Sequence, residues 1–74
     1  MEVKVGIQHI AREITVDTDE TAEKVQQAYL DALDGNDTLV LSDTKGGRTL
    51  LRASSIAYLD LGQEQARKVG FGSV

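Results

Sequence analysis

The chain has 74 residues, enough for one domain near the lower size limit for an unassisted hydrophobic core. It contains no cysteine, which excludes disulfides and thiolate metal sites. The net charge of −4 argues against a large phosphate-binding surface, and a composition 41% hydrophobic and 27% charged is neither disordered nor membrane-like.

Residues 2–8 alternate. Val3, Val5 and Ile7 point one way and Glu2 and Lys4 the other, which predicts a strand with one buried face. Gly6 within it predicts a bulge or a close backbone contact. Arg12 to Val16 alternates again, with Ile14 and Val16 inward, so residues 8–11 form the connection of a hairpin. That connection lacks the Gly or Asn-Gly signal of a tight turn, and Ile10 is expected to close the core at the hairpin end.

Thr18 to Gly35 is the one convincing helix. Asp17, Thr18 and Asp19 are expected to cap it, and Glu20 and Glu23 place negative charge in its first turns, where the dipole favours it. Ala22, Val25, Tyr29, Ala32 and Leu33 recur at helical spacing and form the apolar stripe. Gly35-Asn36 is expected to supply a left-handed C-cap. A helix this short needs a sheet to cover its stripe.

Residues 37–42 read as a third strand, with Leu39 and Leu41 on one face and Val40 on the other. Asp43-Thr44-Lys45-Gly46-Gly47 is a turn signal. Arg48 to Arg52 gives a fourth strand whose Leu50 and Leu51 fall on opposite faces. Ala53-Ser54-Ser55 breaks the pattern. Ile56 to Leu61 gives a fifth strand with Ala57, Leu59 and Leu61 on one side and Ile56, Tyr58 and Asp60 on the other, and Gly62 ends it.

The order strand, strand, helix, strand, strand, strand predicts a single α+β domain over residues 1–62, a mainly antiparallel sheet covered by one helix. A ubiquitin-like β-grasp is the leading topology, with a plain two-layer sheet and a three-stranded meander as the alternative. Residues 63–74 form a tail in which Phe71, the only phenylalanine, sits between glycines. Three readings of the tail stand: Phe71 folds back on the core, it anchors a docking segment with Arg67 and Lys68 steering, or the tail is a disordered end.

Five pieces in order, MEVKVGIQ, REITVD, GRTLL, IAYLDLG and RKVGFG, resemble a small actinobacterial family, the domain of unknown function 3107. The resemblance spans nearly the whole chain, and Ala53-Ser54-Ser55 departs most from the family's pattern. It implies a short, soluble, intracellular protein and brings no catalytic residues to carry over.

Chemistry is sparse. His9 is the only histidine and has no second histidine or cysteine to complete a site. The serines lack a His/Asp relay, and Asp17, Asp19, Glu20 and Glu23 do not fit a calcium loop. Lys45-Gly46-Gly47-Arg48 lacks the phosphate-loop pattern and joins two strands instead of opening a helix. The expectation is a non-enzyme without cofactor or metal. No apolar run has transmembrane length and the N-terminus lacks a signal-peptide core, so a cytoplasmic location is expected.

Apolar residues on both faces of residues 48–61 point to a covered surface. Its expected residues are Arg48, Leu50, Arg52, Ile56 and Tyr58, with Arg67, Lys68 and Phe71 from the tail. The function expected is a protein-interaction or adaptor module with a protein partner or a second copy. The alternative is a weak RNA-binding domain using Lys4, Arg12, Arg48 and Arg52 on the outer sheet face.

Overall fold

The computed structural model describes residues 1–62, so the expectations for Arg67, Lys68 and Phe71 lie outside the described residues. Strands β1 (Glu2–Ile7) and β2 (Glu13–Asp17) lead into helix α1 (Ala22–Leu33). Strands β3 (Thr38–Ser42) and β4 (Arg48–Arg52), a 3₁₀ turn (Ala53–Ser55) and strand β5 (Ile56–Leu61) follow. The α+β order is the one expected.

Among the described residues every strand pairing is antiparallel, and the ladders group as β2-β1-β5 and β3-β4. These ladders do not confirm the β-grasp likeness, which rested on element order. A backbone bond ties the hairpin to the first group. Thr44 N–H donates to the Asp17 carbonyl at 2.9 Å, fastening the β3–β4 turn to the end of β2. Within the first group, Gln8 N–H donates to the Ser55 carbonyl at 2.9 Å, carrying the β1–β5 pairing one step past Ile56 into the 3₁₀ turn.

The core follows the alternation. Val3, Val5, Val16, Leu39 and Leu41 are buried from the strands, and Val25 and Ala32 from the helix. Fully burying a side chain of this size contributes about 1.5–3 kcal/mol. Leu51, Leu59, Leu61 and Tyr29 pack around that centre. The helix lies chiefly against β3 and the 3₁₀ turn. It is shorter than the sequence pattern suggests, with 12 residues. No helix among the described residues is long and apolar enough to cross a membrane.

Several local expectations are corrected. Thr21, not Asp17, Thr18 or Asp19, caps the helix, its hydroxyl accepting from Lys24 N–H at 3.1 Å. Thr18 is fully buried: its hydroxyl accepts from Glu20 N–H at 3.1 Å, and its N–H donates to the Met1 carbonyl at 2.9 Å. A cap must immediately precede the first helical residue, and Thr18 is spent on anchoring residue 1. The Met1 ammonium completes that anchor by donating to the Thr18 carbonyl at 2.8 Å.

At the other helix end Asp37, not Gly35-Asn36, takes the left-handed conformation, with φ 63°. Leu33 is exposed, because the stripe centres on Val25 and Ala32 and leaves Leu33 about 100° round the helix from Ala32. Ile10 is exposed too, since His9 (φ 66°) turns the chain outward before the hairpin can close over it.

Candidate protein-interaction face

The β3–β4 hairpin is set by its turn. Gly46 supplies the positive φ of 91°, and the Asp43 carboxylate accepts from the Lys45 N–H. Asp43 N–H donates to the Gly47 carbonyl at 2.9 Å. That closure fixes the register Thr38↔Arg52, Val40↔Leu50 and Ser42↔Arg48 on one face and Leu39↔Leu51 and Leu41↔Thr49 on the other. The phosphate-loop resemblance of Lys45 to Arg48 ends here: the segment is a hairpin turn.

Burial separates the two faces. Leu39 and Leu41 are buried and Leu51 is half-buried, while Leu50 is 63% exposed and Val40 42% exposed. The outer face therefore carries a directly opposed apolar pair, Val40 and Leu50, with Arg48 and Arg52 two residues to either side of Leu50 along β4. Both arginines are exposed, and neither has an ion pair among the described residues. Val40 was not among the expected site residues. The signal for it was present, since a five-residue loop from Asp43 to Gly47 already places residue 40 opposite residue 50.

The rest of the expected surface is divided. Tyr58 lies on β5 in the other ladder group, and Ile56 is buried, contrary to expectation. The cause is a bulge. Gly6 pairs with Tyr58 while Ile7 pairs with Ile56, so Ala57 is the extra residue. One extra residue reverses the parity, turning Ile56 inward and Ala57 outward. Gly6 keeps a regular pair on both sides, so the bulge falls on the partner strand, and of its two expected roles Gly6 itself fills the close contact: a Cβ there would lie 2.1 Å from Tyr58 Cε2.

Tyr58 is pinned in that position. Its hydroxyl donates to Glu13 Oε2 at 2.6 Å across the β2-β1-β5 ladder. The bond to the Glu13 carboxylate favours the protonated phenol and raises its pKa above the ordinary 10.0, with smaller contributions from desolvation and from the charges of Glu13 and Asp60. A raised folded-state pKa means that the contribution to stability is full below the unfolded pKa and is lost as pH rises through the folded value. In a Tyr29→Phe background, an ultraviolet titration should show Tyr58 ionising above 10.0, and adding Glu13→Gln should lower that midpoint. An unchanged midpoint in Glu13→Gln would refute the assignment.

The four expected RNA-contacting cations are not on one sheet group. Lys4 is on β1 between Thr15 and Asp60, and Arg12 precedes β2, whereas Arg48 and Arg52 are on β4. The outer side of β2-β1-β5 carries Glu2, Glu13, Asp17 and Asp60 around Lys4, so it is acidic where the β3–β4 face is basic. His9 is exposed in the first hairpin connection. A second apolar feature, a groove of about 420 Å³, runs between α1 and β5 beside Tyr29, Leu30, Ala57 and Leu59.

Comparison with family models matches residues 1–72 to one described as "Protein of unknown function (DUF3107)". The chain belongs to the DUF3107 family. The match includes every strand and the helix described above, so the β3–β4 face lies within the family's domain. No curated protein matches the chain.

Proposed function

We propose that this DUF3107 member is a non-enzymatic protein-interaction module that docks through the outer face of the β3–β4 hairpin. One observation carries the reading: the solvent-facing Val40–Leu50 pair on a two-stranded ladder, bracketed by Arg48 and Arg52. Apolar contact with charged residues at its rim is the anatomy of a modest interface. The arrangement is costly without a partner, because exposed apolar pairs on an edge hairpin invite unwanted pairing. RNA binding has less support, since Tyr58 is held over Gly6 on the other ladder and, among the described residues, β3 and β4 carry no aromatic residue beside the arginines.

The test is capture from source-cell lysate by the tagged full chain, beside Leu50→Asp and Phe71→Ala, each checked for folding by circular dichroism. Leu50→Asp should still fold, because the side chain is exposed, at a cost of about 1 kcal/mol from the lost cross-strand pair with Val40 and the low strand preference of aspartate. It should lose the partner that the parent chain and Phe71→Ala retain. Loss with Phe71→Ala and retention with Leu50→Asp would move the docking element to residues 63–74 and overturn the assignment to this face.

A further inference from the structure

We infer that β4 takes its partner as an added strand, and that the partner is an acidic extended segment of another protein with carboxylates spaced to meet Arg48 and Arg52. The inference rests on the interaction reading above and specifies the chemistry of the partner.

The hydrogen-bond phase of the hairpin exposes the edge. Ala53 N–H donates to the Asp37 carbonyl and Asp43 N–H to the Gly47 carbonyl, each at 2.9 Å. Pairs 37/53 and 43/47 therefore face one another, and alternation makes 39/51 and 41/49 do the same. The N–H groups of Arg48, Leu50 and Arg52 consequently turn away from β3. Among the described residues β4 has no second ladder. The residues whose side chains form the outer face are thus the ones whose amides point along the unladdered edge of β4, the direction strand addition requires.

Charge selects the occupant. Two copies pairing antiparallel through β4, centred on Leu50, would set Arg48 opposite the second copy's Arg52 at both ends. Like charges directly opposite are destabilising, so the edge disfavours its own copy. An acidic strand reverses the sign of both contacts. Arg48 and Arg52 are about 13 Å apart along the strand, four residues at about 3.3 Å each. A segment with carboxylates four residues apart and an apolar residue midway would meet Arg48, Leu50 and Arg52 on a single face.

The probe is a capped seven-residue peptide, Thr-Glu-Val-Leu-Val-Glu-Thr, titrated into the isotope-labelled full chain. Its comparison peptide, Thr-Val-Glu-Leu-Glu-Val-Thr, has the same composition but moves both carboxylates to the opposite strand face. The expected result is chemical-shift change and slowed amide exchange at Arg48, Leu50 and Arg52, with the first peptide binding at least about tenfold tighter than the second. The Arg48→Glu/Arg52→Glu double variant should lose that preference and gain binding to a peptide with Lys in place of both Glu.

Failure has distinct forms. Equal binding of the two peptides, or protection away from β4, overturns the inference. So does no binding at millimolar peptide, which would leave the arginines as guards of a bare edge. Shifts at these amides with a mixed RNA oligonucleotide and not with the peptide would replace it with a nucleic-acid reading. If Leu50→Asp loses its lysate partner while neither peptide binds, the docking face stands and the acidic-strand inference alone falls.

Discussion

Gly6→Ala should destabilise the protein by about 1–3 kcal/mol, the cost of forcing a side chain into filled space. The added Cβ would lie 2.1 Å from Tyr58 Cε2 and 2.4 Å from Cζ, so the ring must leave the strand surface. Displacing it also breaks the 2.6 Å bond from the Tyr58 hydroxyl to Glu13. The three residues form one row, because Gly6 pairs with Glu13 on one side and with Tyr58 on the other. Tyr58 covers the gap that a side chain would otherwise fill, as aromatic residues do over strand glycines. The decisive control is Tyr58→Ala. In that background Gly6→Ala should be neutral or stabilising by up to about 1 kcal/mol, since an interior strand glycine is itself unfavourable. Urea unfolding of the four proteins closes the cycle, and additivity of the two substitutions would show that the ring and the glycine are independent.

That pair also shows where sequence reading stops. Alternation located all five strands and the inward residues Val3, Val5, Leu39 and Leu41, because each strand buries one face and the period of two is strict. It also separated Leu50 from Leu51. It failed at Ile56 because the bulge at Ala57 changes the parity, and bulges depend on the partner strand. Thr18 was misread for a similar reason: its partner, Met1, lies 17 residues away. The basic surface was only partly legible. Arg48, Leu50 and Arg52 lie together because one strand carries them, whereas assigning Lys4 and Arg12 to the same surface required a strand order that hydrophobic pattern does not encode.

Asp37→Ala should cost roughly 2 kcal/mol, combining the strain of a left-handed alanine with the loss of two side-chain hydrogen bonds. Asp37 joins three elements. Its N–H donates to the Ala32 carbonyl at 2.8 Å at the helix end, and its carbonyl accepts from Ala53 N–H at 2.9 Å. Its carboxylate accepts from Ser54 N–H at 2.8 Å and from the Ser54 hydroxyl at 2.7 Å. The φ of 63° aims the side chain at the 3₁₀ turn, a conformation aspartate tolerates better than alanine. Three substitutions separate the contributions. Asp37→Gly should recover the backbone part and lose the carboxylate part. Asp37→Asn should retain most of both, since its amide oxygen can accept from Ser54 N–H while its NH₂ donates to the Ser54 oxygen. The order of urea midpoints should be Asp, Asn, Gly, Ala from most to least stable. Equal midpoints for Gly and Ala would mean that the left-handed backbone is not what makes this junction sensitive. Because Asp37 fixes where β3 begins, its loss should also raise amide exchange along the β3–β4 hairpin before global unfolding. The docking face would then loosen at its base, while Val40, Leu50 and the arginines remain chemically intact.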